Sequence, residues 1–291
     1  MKFQGSFVAL VTPFKNDAVN EEKVRELVRL HIENGTDGIV AAGTTGEAPT
    51  LSGPERERLF EVVVDEAAGR IKVIAGTGSY DTAHSANATR RAQQLGVDAA
   101  LIVTPYYNKP TQRGLFAHFE AIAEACDLPL IVYNVPGRTS VNLTAETMLQ
   151  LADIDSVVAV KEASGDLGQI SEIAANANGR ITVLSGDDNL TAAILAVGGE
   201  GVISVTANII PRDIKKLCDL FAENNLPEGR ALHHRLLRIN NAMFYEPNPI
   251  PVKTAMNMMG MEVGKLRLPL APMAESNKQR LQGILNFYEL L

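Results

Sequence analysis

Apolar residues in this chain gather in short, nearly unbroken runs rather than in alternation. Eight such runs fall at residues 7–11, 38–42, 71–75, 99–103, 130–133, 157–160, 181–184 and 202–205, and turn or capping residues follow each. A strand covered on both faces needs apolar side chains above and below the sheet, so these runs predict parallel strands. Between them the apolar spacing lengthens to that of a helix. Val24, Leu27, Val28 and Ile32 share one helical face, and Asn34-Gly35 supplies the stop. Residues 56–68, 82–95 and 115–125 read the same way.

Strict alternation of strand and helix implies parallel strands joined by crossovers. Eight units of roughly 20 to 30 residues fit a closed barrel of about 250 residues better than an open doubly wound sheet. The open sheet has little support: Gly76-Thr77-Gly78 is followed by Asp81 where a dinucleotide fingerprint needs a third glycine. The stretch from Gly260 to Lys265 ends in Leu266 and does not make a phosphate loop. Past about residue 210 the strand runs stop, and residues 213–224, 229–244, 252–259 and 276–288 read as helices. The expected architecture is α/β, a (β/α)8 TIM barrel over residues 1–225 with a C-terminal helical subdomain over 226–291, the latter serving packing or assembly.

Composition narrows the chemistry. The chain is 46% hydrophobic and 21% charged, ordinary globular values that support a large core. Net charge is -7 without a basic block, which argues against nucleic acid as a partner. No stretch approaches the ~18 consecutive apolar residues of a membrane span, and Gln4, Gly5 and Ser6 break the N-terminal segment too early for a secretory signal, so a cytoplasmic location is expected. Cys126 and Cys218 lack ligand spacing, and none of the five histidines forms a His-Glu-x-x-His pair, so no metal site is expected. Small-molecule chemistry remains.

Barrels of this kind carry their active sites at the C-terminal ends of the strands. There the chain places Gly43-Thr44-Thr45-Gly46-Glu47, Tyr106-Tyr107-Asn108, Tyr133-Asn134-Val135-Pro136-Gly137-Arg138, Lys161-Glu162, Ser185-Gly186-Asp187-Asp188 and Ile203-Ser204. Lys161 ends a buried run, and burial disfavours an ammonium ion, which makes a lysine nucleophilic toward a ketone. Read alone, a lysine there snorkels to solvent; its neighbours give it a second meaning. Thr44 and Thr45, in a glycine-flanked turn, can hold a carboxylate or simply cap a helix. Tyr133 can relay a proton or pack as a half-buried ring. Arg138 suits a bidentate grip on a carboxylate or lies idle on the surface. Asp187 and Asp188 read as N-caps rather than as a metal site.

These segments, with Pro105-Tyr106-Tyr107-Asn108-Lys109-Pro110, Val160-Lys161-Glu162-Ala163 and Glu246-Pro247-Asn248-Pro249, resemble the dihydrodipicolinate synthase family within the N-acetylneuraminate lyase superfamily, from Gly5 to about Pro269. The resemblance implies condensation of pyruvate, held as a Schiff base on Lys161, with L-aspartate 4-semialdehyde to give 4-hydroxy-tetrahydrodipicolinate. It gives the proton relay to Tyr133, Thr44 and Tyr107, with Tyr107 supplied by a neighbouring subunit. Thr44 and Thr45 would hold the pyruvate carboxylate, Gly186 and Ile203 would shape that pocket, and Arg138 would grip the semialdehyde. A homotetramer built as a dimer of dimers is implied, and no cofactor, because the imine itself does what a metal would do for an enolate. Lysine-inhibited members bind lysine at positions corresponding to Ala48, Gly53, Arg56, Tyr80, His84 and Tyr106. His84 replaces the acidic residue and Arg56 adds a like charge, so feedback inhibition by lysine is expected to be weak or absent. Two alternatives stay open: a sister aldolase acting on sialic acid or a 2-keto-3-deoxy sugar acid, and a keto-acid sensor without catalysis.

Overall fold

Eight parallel strands close on themselves in the computed structural model, which describes residues 2–291. They are β1 (Gly5–Ala9), β2 (Gly38–Ala41), β3 (Lys72–Gly76), β4 (Ala99–Val103), β5 (Leu130–Asn134), β6 (Val157–Glu162), β7 (Thr182–Ser185) and β8 (Gly201–Ser204). Each pairs with its neighbours in chain order, and β1 pairs with both β2 and β8, so no edge is left open. A small hairpin of Phe14–Lys15 and Ala18–Val19 interrupts the first crossover.

The outer layer contains α1 (Glu21–Glu33), α2 (Gly53–Ala67), α3 (Thr82–Gln94), α4 (Gln112–Glu124), α5 (Ala145–Leu151), α6 (Leu167–Asn176), α7 (Thr191–Ala196) and α8 (Pro211–Ala222). Side-chain caps set where many of them begin. Asn20, Ser52, Asp81, Thr111, Thr144 and Asp166 each accept a first-turn backbone N–H, and Ser52 with Glu55 completes a reciprocal capping box.

Period-two alternation divides each strand between two cores. Outward residues such as Ile39, Val73, Ile102, Val132, Val160 and Val202 pack under the helices, while Val40, Ile74, Leu101, Ile131, Leu184 and Ile203 fill the barrel. Phe3 and Phe7, both fully buried with ring centroids 6.1 Å apart, plug the N-terminal end. Truncating one residue of such a core, Leu184→Ala for example, costs about 2–5 kcal/mol. The interior thus has one open end, where the strands finish.

After α8 come α9 (Leu226–Ala242), α10 (Ile250–Met258) and α11 (Glu275–Phe287). The links between them fold back over the barrel mouth: the Val263 carbonyl accepts from Phe14 N–H at 3.1 Å, and Arg267 N–H donates to the Glu47 carboxylate at 2.9 Å. No helix among the described residues is long and apolar enough to cross a membrane.

Candidate active site

Lys161 follows Ala159 by two positions on β6, so its side chain points into the barrel. It is 6% exposed, and its Nζ sits 4.2 Å from the centroid of the Tyr133 ring, its register partner on β5. In its protonated form an amine over an aromatic face is attracted by the ring quadrupole. The next residue, Glu162, points outward and is fully buried, held by Asn134 Nδ2 and Gln169 Nε2 at 2.9 Å each. Burial raises its carboxyl pKa, and those two donors oppose the rise.

Gly186 follows β7 and donates its N–H to the Glu162 carbonyl at 2.7 Å. A Cβ there would lie 2.7 Å from Ala163 Cβ and 3.1 Å from Lys161 Cε, so a larger residue would push against the lysine stem. Burial raises the pKa of Asp187, opposed by the charge of Lys161. Of the two aspartates expected as helix caps, Asp187 does stand at the N-cap position of a short 3-10 turn, Asp188–Leu190, and Asp188 is the first residue inside it. Asp187 makes no side-chain cap bond, while Asp188, fully buried, accepts from Ser204 Oγ and from the N–H groups of Val205 (2.9 Å) and Thr206 (3.2 Å). Ser204 ends strand β8 and the other two follow it, so binding them ties the ends of β7 and β8 together.

The turn after β2 brings Thr44 and Thr45 to the mouth. Thr45 is buried and its Oγ1 accepts from Asn248 Nδ2 at 2.9 Å. Glu47 closes the turn in the left-handed region, φ 55°, with its carboxylate on Lys253 Nζ at 2.8 Å; both side chains are 1% exposed. Burial lowers the Lys253 pKa and the Glu47 charge opposes that.

A cavity of about 690 Å³ opens above, with Thr44, Tyr133 and Arg138 in its wall. Lys161 is not in that wall; it stands against the ring of Tyr133, which is. Arg138 stands on a single helical turn, Pro136–Thr139, and its Nη2 reaches the Asn248 carbonyl at 3.3 Å. Ile203 is fully buried in the interior layer together with Tyr133 and Leu184. The cavity continues past Ala48 to Arg56, Tyr80, His84 and Tyr106. There Arg56 Nη2 donates to the Ala48 carbonyl at 3.0 Å, and burial lowers its pKa. Tyr107 is not brought to this cavity: it is 90% exposed with φ 72°. Among the described residues no three His, Cys, Asp or Glu side chains converge as metal ligands.

The sequence reading missed Asn248, Glu47 and Lys253 as parts of the site. Two signals pointed to them: the Glu246-Pro247-Asn248-Pro249 segment, and a lone lysine among Ile250, Val252, Ala255 and Met256 on α10.

A buried lysine near the end of β6 stands against a tyrosine on β5, and a Thr-Thr turn follows β2. The family model described as the dihydrodipicolinate synthetase family matches residues 2–287. The chain belongs to that family. It is 55% identical over 289 residues to the 4-hydroxy-tetrahydrodipicolinate synthase of Geobacter sp. (strain M21), covering 99% of this chain and 100% of the relative. The crystal structure of dihydrodipicolinate synthase from Aquifex aeolicus superposes with a TM-score of 0.97 at 46% identity, covering 99% of both chains. The chloride-inhibited enzyme from Acinetobacter baumannii, solved in complex with pyruvate, does so with a TM-score of 0.97 at 44% identity, again covering 99% of each. The chain is thus an enzyme of the Schiff-base lyase and synthase type on the barrel that its apolar pattern predicted.

Proposed function

We propose that the protein condenses pyruvate with L-aspartate 4-semialdehyde to form 4-hydroxy-tetrahydrodipicolinate, and that Lys161 is the amine that takes up the keto acid. The observation that carries this reading is the position of Lys161, buried near the C-terminal end of its barrel strand and held against Tyr133. The free amine adds to the pyruvate ketone and water leaves, giving a protonated imine. That cation is an electron sink, so the methyl carbon gives up a proton and becomes an enamine nucleophile. The enamine attacks the aldehyde carbon, whose oxygen takes a proton. The amino group of the semialdehyde then displaces Lys161 from the imine carbon and closes the ring.

Tyr133 and Thr44, which both line the cavity, pass these protons, with Tyr107 of a second subunit completing the relay. Thr44 and Thr45 hold the pyruvate carboxylate, and Gly186 and Ile203 limit the space around it. Arg138, free at the cavity wall apart from its contact with Asn248, grips the semialdehyde carboxylate. The exposure of Tyr107 favours an oligomer, a tetramer assembled from two tight dimers, and two cysteines without a disulfide suit a reducing cytoplasm.

The decisive experiment is a coupled assay with pyruvate, the semialdehyde and a downstream reductase. Turnover that requires both substrates is expected. Cleavage of a sugar acid with no turnover in that assay would replace the reading.

A further inference from the structure

Two side chains from beyond residue 226 hold the turn that carries Thr44 and Thr45. The first is Lys253. Its three ammonium protons meet three acceptors: Glu47 Oε1 at 2.8 Å, the Thr12 carbonyl at 3.0 Å and the Lys265 carbonyl at 2.9 Å. The second Glu47 oxygen accepts from Arg267 N–H at 2.9 Å. Apolar residues of similar volume often serve stability as well as a buried ion pair does. What the pair adds is direction, because it locks Glu47, the residue that closes the turn at φ 55°.

The second is Asn248. Its Nδ2 donates to Thr45 Oγ1 at 2.9 Å. A hydroxyl that accepts from an amide keeps its own proton for another acceptor, so this bond sets Thr45 as a donor. The Asn248 carbonyl in turn accepts from Arg138 at 3.3 Å, which links the two ends of the site.

We propose that Asn248 and Lys253 are positioning residues for the keto-acid carboxylate, acting through Thr45 and Glu47. This rests on the reading above that the Thr44–Thr45 turn seats that carboxylate. The C-terminal region is then part of substrate recognition, beyond its role in packing.

The test compares pyruvate with acetone, a ketone that has no carboxylate. Wild type, Asn248→Ala and Lys253→Met are each titrated with both ketones under reducing conditions, and the trapped adduct is read by intact mass. Wild type should trap pyruvate at far lower concentration than acetone. Asn248→Ala, which leaves the ion pair in place, should raise the half-saturating pyruvate concentration about tenfold and leave acetone within about twofold. Lys253→Met should shift pyruvate in the same direction and further; should it fail to fold, Asn248→Ala decides alone. Wild type that traps neither ketone would overturn the proposed function, and this inference with it. Unchanged pyruvate trapping in a folded Asn248→Ala variant, or equal loss of both ketones, would overturn the positioning role alone.

Discussion

The turn closed by Glu47 and the segment that ends at Tyr107 both follow barrel strands at the same mouth, and both contain a residue with positive φ, 55° and 72°. They differ in what holds them. Glu47 is buried on Lys253 and Arg267 of its own chain, whereas Tyr107 is 90% exposed. A strained backbone residue costs about 1–3 kcal/mol and persists where its surroundings over-determine it. For Glu47 those surroundings lie within the chain; for Tyr107 a second subunit is the proposed source. On the proposed reading, the keto-acid half of the site is held within one chain, and the proton relay is what assembly completes.

The sharpest way to break this comparison is to remove the amine. Lys161→Ala should abolish the borohydride-trapped pyruvate adduct and lower turnover by at least about a thousandfold; a surviving adduct would put the imine elsewhere. Arg138→Ala should leave imine formation intact but reduce kcat/KM for the semialdehyde by about a hundredfold, the loss of charge-assisted hydrogen bonds. Equal losses with both substrates would mean the two halves are not separable. Tyr107→Phe should lower kcat by about tenfold to a hundredfold with trapping unchanged. Wild-type activity per subunit should also fall on dilution while the adduct still forms, as sedimentation and single-turnover trapping would reveal.

Smaller effects concern the shared cavity and frame. Arg56 and His84 line the outer part of the cavity, where a cationic amino acid would meet the like charge of Arg56 and no carboxylate at position 84, so millimolar lysine should leave turnover nearly unchanged. Half-inhibition at submillimolar lysine would contradict this. His31, buried on α1 with Nδ1 3.0 Å from Thr36 Oγ1, has its pKa lowered by burial to about 3 from 6.5. The unfolded chain binds that proton first, so the contribution of this group to stability is complete above pH 6.5 and is lost as pH falls toward 3. Between pH 7 and pH 5 the loss should be at most about 2 kcal/mol, and His31→Leu should flatten that part of a denaturant-midpoint profile.

Most of the barrel was legible because strands covered on both faces leave no polar gaps. The boundaries slipped where burial continued past the ladder: Leu10 and Val11 are as buried as the strand before them, so the first run reads as 7–11 while β1 spans Gly5–Ala9. Lys161, Tyr133 and Thr44 were legible as candidates because the first two are the penultimate residues of their strands and the third lies in the turn just past one. Asn248 and Lys253 were not, since their contacts with Thr45 and Glu47 span 203 and 206 residues and no local pattern encodes such a pairing. Asp188 misled for the same reason: a carboxylate just after a strand looks like a cap until the fold supplies Ser204, Val205 and Thr206 as partners.

Phe3 and Phe7 make the interior a dead end. Whatever sits deepest must arrive first and depart last. A keto acid bonded to Lys161 would therefore be roofed over by the aldehyde that follows it, and a molecule lodged at Arg138 beforehand would bar the door to pyruvate. Order of addition, on this view, is imposed by the pair of phenyl rings at the far end, well away from any reacting atom.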